Sequence, residues 1–293
     1  MVCPGVNIKK NIRNCRYIEL EHINDIENTN VFIDSSSLIT RVFSDDRLID
    51  LLDIAGYISA AEVRSLQAGD NDAESCSLHR SFHFHIKVRD YKFWCQSDVQ
   101  DLLAQVLCFI SAGDSYKFIF CKADPCLTTG ILDNTGFWNS VTQNLKITLF
   151  SGGLDSLAGT IDLLETTNDN IILISHQPVQ PGISRSQNKP YSGLEKVYPG
   201  RCTHFKFHCG LTYGHPADST HRTASFLHNA AAFAIAETFK QDNFYVYANG
   251  IDSMNFGISQ DLLNADASGT ADSKTLGLFE KLFTRIYHSI IRY

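Results

Sequence analysis

Residues 147–156 read Ile-Thr-Leu-Phe-Ser-Gly-Gly-Leu-Asp-Ser, an apolar strand that runs through a turn of very small residues into the helical pattern of Leu154 to Glu165. Little else can be built on such a junction than a strand, a tight turn and a helix packed back on the strand. Ser151, Gly152 and Gly153 have almost no side chain, so their backbone N–H groups can converge on one anion, and the helix beginning near Asp155 adds the positive end of its dipole. The turn is therefore expected to cradle a polyphosphate. It lacks the Gly-x-x-x-x-Gly-Lys-[Ser/Thr] spacing, so no lysine is placed to reach a γ-phosphate.

The surrounding pattern extends the same arrangement. Ile171 to Ser175 is a second strand, at the spacing of a right-handed βαβ unit. Further strands are expected at Thr203 to Phe207 and Phe244 to Ala248, with a long apolar helix, Ser225 to Phe239, between them. The prediction is an α/β fold, a parallel sheet with flanking helices, whose strand ends gather Ser151, His176, Gly210 and Asn249. The first half reads differently. His79 to Asp90 alternates Phe82, Phe84, Ile86 and Val88 with His83, His85, Lys87 and Arg89, a strand buried on one face. Ser97 is expected to cap a helix over Asp98 to Ile110, and Tyr116 to Cys121 forms another strand. With mixed helix and strand around Arg47 to Val63, this half is expected to be a smaller α+β domain with an antiparallel sheet, residues 1–144, joined through the linker Ala123 to Asn144 to a nucleotide domain, residues 145–293.

Composition narrows the classes. A formal charge of −7 argues against broad binding of DNA or anionic membranes. No stretch approaches the roughly 20 apolar residues of a membrane span, and no apolar leader core is visible, so the cytoplasm is the expected compartment. The nine cysteines contain no Cys-x-x-Cys pair and read as reduced, packed thiols. Cys202, His204, His208 and Cys209 lie close together, but 202, 204 and 208 share one strand face while 209 points away, which argues against a metal site.

Several side chains could carry chemistry. Asp155 can hold Mg²⁺ against phosphates or cap backbone amides, and Ser151 and Ser156 offer hydroxyls to phosphate oxygens. His176 ends a strand on the ligand side, where it either meets substrate or closes the strand on a loop carbonyl. Arg222, at the start of the apolar helix, is placed to stabilise charge on an α-phosphate or to form a surface ion pair. Asn249-Gly250 makes a turn suited to a ligand rim.

Taken together, Ser-Gly-Gly-Leu-Asp-Ser (151–156), Ile-Ser-His (174–176), Arg-Thr-Ala-Ser-Phe-Leu (222–227) and Ala-Asn-Gly-Ile-Asp-Ser-Met-Asn (248–255) resemble the QueC-like proteins. These are relatives of 7-cyano-7-deazaguanine synthase within the PP-loop ATP pyrophosphatases, which have an adenine nucleotide alpha hydrolase-like fold. The motif Arg-x-Phe-x-Phe-x-Ile-x-Val-Arg-Asp at 80–90 is similar to one in the longer QueC-like proteins of anti-phage systems such as Qat. The resemblance implies a ligase that uses ATP and Mg²⁺ to adenylate the carboxylate of 7-carboxy-7-deazaguanine and passes it to an amine, ammonia or that of a partner protein. It implies that Ser151, Gly152, Gly153, Leu154, Asp155 and Ser156, with Asn249 and Gly250, bind ATP, and that Asp155, Arg222 and His176 serve the reaction. It also implies a four-cysteine structural Zn²⁺ segment near the C-terminus. This chain ends at Tyr293 without one, so it reads as truncated, and its last helix is expected to be weakly anchored. Other PP-loop enzymes, tRNA-modifying or fed by an amidotransferase, and an inactive ATP-binding scaffold are the competing expectations.

Overall fold

The computed structural model describes residues 20, 31–34, 45–65, 80–123, 144–177, 181–211, 222–248 and 273–287. Its elements are β1 (Val31–Asp34), α1 (Asp46–Arg64), β2 (Ser81–Val88), α2 (Tyr91–Trp94), α3 (Ser97–Ile110), β3 (Ser115–Lys122), β4 (Leu145–Leu149), α4 (Leu154–Thr166), β5 (Asn170–His176), α5 (Pro181–Val197), β6 (Cys202–Leu211), α6 (Ala224–Thr238) and α7 (Ser273–Tyr287).

The central sheet has the order β1-β6-β5-β4, with β4, β5 and β6 parallel and β1 antiparallel on β6. Beyond β4 the chain returns at Tyr245, which makes a parallel bridge to Thr148. The predicted strand Phe244 to Ala248 is thus reduced to one bridge, held by Leu149 N–H to the Tyr245 carbonyl (2.9 Å) and Tyr245 N–H to the Ile147 carbonyl (2.8 Å). Because the chain leaves β4 toward β5 and β6 on one side and comes back on the other, the strand order reverses at β4. In Rossmann-like folds such a reversal marks the carboxyl strand ends where ligands are bound.

Side chains sort by parity. Ile172, Ile174, Phe207 and Cys209 face a core shared with α1, α6 and α7, whereas Ile171, Leu173 and Cys202 face a second core with Phe150, Leu163, Leu164 and Leu194. Helices therefore cover both faces, which is why β5 reads as an unbroken apolar run.

Several expectations are corrected. The stretch Arg47 to Val63 is one continuous helix, capped by Asp45, whose carboxylate accepts from the Arg47 and Leu48 amides (3.0 and 3.4 Å). Its apolar residues are too dense for one stripe because it is buried on most sides. The β2–β3 sheet is parallel, not antiparallel, since α3 carries the chain back across it before β3 begins. Gln96, not Ser97, precedes α3, and it makes no side-chain cap. β1 and α1, from the first half, join the second half's sheet and helix layer, and one core extends from Leu20 to Ile286. Of the linker, only Ala123 and Asn144 fall among the described residues.

The last helix is well anchored. α7 buries Thr275, Phe279, Leu282, Phe283 and Ile286, with the Phe283 ring stacked on Phe233 at 4.4 Å. Its packing rests on aromatic faces, which bury large area at fixed geometry. Among the described residues no helix is long and apolar enough to cross a membrane.

Candidate functional site

The turn 151–153 joins the carboxyl end of β4 to α4, at the point where the strand order reverses. Gly152 has φ +80°, a left-handed conformation that only glycine adopts without strain. Gly153 is the N-cap of α4, and the first intrahelical bond runs from Leu157 N–H to the Gly153 carbonyl (3.1 Å). The amides of Leu154, Asp155 and Ser156 precede that bond and are the helix's orphan donors. They point where an anion is best held.

The turn is cross-braced by its own hydroxyls. Ser156 Oγ donates to the Gly153 carbonyl (3.0 Å) and lies 3.1 Å from Ser151 Oγ, which accepts from Gly153 N–H (3.2 Å). One of the three small-residue amides is thus already engaged, so Ser151 must turn aside before Gly153 can serve an anion. Leu154 and Asp155 stand exposed, Leu154 with 79% of its surface accessible. The Asp155 carboxylate has no partner among the described residues and lies in the first turn of α4.

Tyr247 closes one side. Its ring lies so close on Gly159 of α4 that a Cβ there would sit 2.2 Å from the ring carbons. Burial pushes the Tyr247 hydroxyl up to about 12, so it stays protonated at neutral pH and is a donor.

His176 ends β5 as expected. Its Nε2 is 2.9 Å from the Cys209 carbonyl, and its ring lies 5.3 Å from that of His228 on α6. Arg222 is held elsewhere: its amide donates to Glu62 Oε1 (3.0 Å) and its guanidinium to the Ser111 carbonyl (3.3 Å) at the end of α3. Glu62 also accepts from Thr223 N–H (2.8 Å) and Thr223 Oγ (2.6 Å), capping α6 from a buried position. Arg80 completes this cluster, 3.4 Å from Glu62 and 2.7 Å from Asp114. Asn249 and Gly250 lie outside the described residues.

Two residues behind the turn are not evident from the sequence. Ser175 on β5, 1% exposed, donates to the Phe150 carbonyl (2.5 Å) and lies 2.7 Å from His204 Nε2 on β6. Parity along each strand puts both on the α4/α5 face, but their pairing depends on register. Leu173 is opposite His204 and Ser175 opposite Lys206, which makes Ser175 and His204 diagonal neighbours. Desolvation, with a smaller contribution from Lys206, lowers His204 to about 4. It is neutral at physiological pH.

Among the described residues no group of three His, Cys, Asp or Glu side chains could hold a metal ion. Cys202 and Cys209 belong to different cores, and burial pushes their thiols up to about 11 and about 12. They are packing residues. A Mg²⁺ at this turn would therefore take one protein carboxylate, Asp155, and complete its shell with phosphate oxygens and water, the usual arrangement for this ion. Nothing among the described residues fits a structural zinc.

Comparison with protein-family profiles, with curated proteins and with solved structures gave no match.

Proposed function

We propose that this chain is an ATP-dependent carbon–nitrogen ligase of the QueC-like type. It adenylates the carboxylate of a 7-carboxy-7-deazaguanine-type base and joins it to an amine, ammonia or that of a partner protein, releasing AMP and pyrophosphate. Anti-phage defence is the setting that its motifs favour. The observation that carries this reading is the location of Ser151–Ser156: a glycine turn and a helix N-terminus at the point where the strand order reverses.

In this reading the Ser151 and Gly152 amides and the orphan amides of Leu154, Asp155 and Ser156 receive the phosphates. Gly153 joins when Ser151 Oγ releases its amide. Mg²⁺, where Asp155 holds it, would neutralise phosphate charge. His176 lines the neighbouring strand end, and its bond to the Cys209 carbonyl fixes the ring. The Arg222 guanidinium donates to the Ser111 carbonyl, a bond it would exchange for the reacting carboxylate in this reading.

That last point favours a second reading, an ATP-binding subunit without turnover, because Arg222 is tied into the Glu62 cluster. AMP release by the full chain with Mg-ATP, with and without 7-carboxy-7-deazaguanine, separates the two. AMP that depends on the base and disappears in Asp155→Ala supports the ligase. ATP binding with no AMP selects the scaffold, and turnover unchanged in Asp155→Ala rejects the assigned site.

A further inference from the structure

Behind the turn, the layer between the sheet and α4/α5 is apolar: Phe150, Leu163, Leu164, Ile171, Leu173, Leu194 and Cys202. A buried hydroxyl and a partly buried imidazole in such a layer cost free energy unless their buried polar atoms find partners. Ser175 has one proton and donates it to the Phe150 carbonyl, so its contact with His204 requires the imidazole to donate from Nε2–H. His204 is then the Nε2–H tautomer, its unprotonated Nδ1 buried without a hydrogen-bond partner among the described residues and its ring 4.9 Å from Tyr191 of α5. The direction of the pair is thereby fixed: His204 to Ser175 to Phe150.

Phe150 is the last residue before the turn. Its N–H continues the sheet by donating to the Ile174 carbonyl (2.8 Å), and its carbonyl accepts the Ser175 hydroxyl. The peptide from Phe150 to Ser151 is planar and trans, so its N–H points opposite to its C=O. With the carbonyl drawn into the layer beneath the sheet's end, the Ser151 amide is directed out of it.

We propose that Ser175 and His204 are positioning residues that hold the Ser151 amide in its donating direction and so set the affinity of the turn for a polyphosphate. The pair touches no ligand and acts through one peptide plane. This rests on the polyphosphate-binding reading of the turn and adds to it the residues that orient the first amide. The neutral state of His204, lowered to about 4 by burial, keeps the tautomer unchanged across physiological pH.

The test is calorimetric titration of the full chain with inorganic pyrophosphate and with Mg-ATP, in native protein and in Ser175→Ala, His204→Leu and His204→Gln. Glutamine keeps an N–H near the position of imidazole Nε2, and leucine does not. Ser175→Ala and His204→Leu are expected to weaken pyrophosphate about tenfold, and His204→Gln to remain within about twofold of native. Ring-nitrogen NMR should show the Nε2–H tautomer at His204 in the native chain and its loss in Ser175→Ala. Equal affinity in native and Ser175→Ala proteins overturns the inference while leaving the function intact. Losses that follow the unfolding midpoint of each variant, with glutamine no better than leucine, overturn it too. Failure of the native chain to bind either pyrophosphate or ATP removes the function reading itself, and the inference with it.

Discussion

Replacing Glu62 by alanine should be among the most damaging single changes outside the turn. The carboxylate is 2% exposed and accepts from Arg222 N–H, Thr223 N–H and Thr223 Oγ at 3.0, 2.8 and 2.6 Å. Removing it leaves three donors at a buried helix start without an acceptor, at about 1–3 kcal/mol each when none can turn to another partner. Arg80 keeps Asp114 at 2.7 Å, so no buried charge is isolated, and the larger penalty for a broken ion pair does not apply in full. The hydroxyl of Thr223 can rotate, which places the total at about 3–5 kcal/mol. That is a large share of the roughly 5–15 kcal/mol typical of a folded protein. Urea unfolding at neutral pH reads the loss as a lower midpoint at unchanged slope. Glu62→Gln, which keeps the volume but turns one acceptor into a donor, should fall between alanine and native. Thr223→Val should cost about 1–2 kcal/mol in native protein and clearly less beside Glu62→Ala, because both changes delete the same bond. An alanine variant less than about 1 kcal/mol below native, or a valine change equally costly in both backgrounds, would refute the capping argument.

Other outcomes follow from the same structure. Unfolded His204 takes up a proton near the ordinary 6.5 and folded His204 only near about 4, so the unfolded state binds more protons in between and stability falls as pH drops through that window. The gap corresponds to about 3 kcal/mol, reduced to roughly 2 because the ring is only partly buried; urea midpoints of native and His204→Gln proteins at neutral and acidic pH should diverge by that amount, and parallel pH profiles would reject it. Gly159→Ala should destabilise by about 1–3 kcal/mol through its clash with Tyr247, and Tyr247→Ala should recover most of that loss; an alanine tolerated beside the intact tyrosine contradicts the packing. Leu154→Asp places a negative charge beside the orphan amides and should weaken pyrophosphate binding in calorimetry with little change in stability, since the side chain is solvent-exposed.

What the sequence made visible is what local periodicity records. The alternation of Phe82, Phe84, Ile86 and Val88 identifies β2 and its buried face, and the glycines at 152 and 153 identify the turn. Strand direction was not legible in the same way. β3 pairs parallel to β2 because of the helix between them, and β1 joins β6 across most of the chain. The role of Glu62 and the pairing of His204 with Ser175 are not legible for a related reason. In each case only the partner element reveals what the side chain bonds. Arg222 was noticed for its charge, but its surroundings are set by α1 and α3, which no local pattern around residue 222 encodes.

The contact between Glu62 and Thr223 joins positions 161 residues apart. At about 5–20 residues per second, a ribosome takes roughly 10–30 s to deliver the second partner after the first. During that interval α1 has no α6 to cover its apolar surface, and β1 has no β6 to pair with. Early-made segments of this chain thus wait for late-made ones, which slows folding and prolongs exposure of aggregation-prone surface. Its yield in a cell is expected to depend on chaperones that hold α1 until α6 and the sheet are in place.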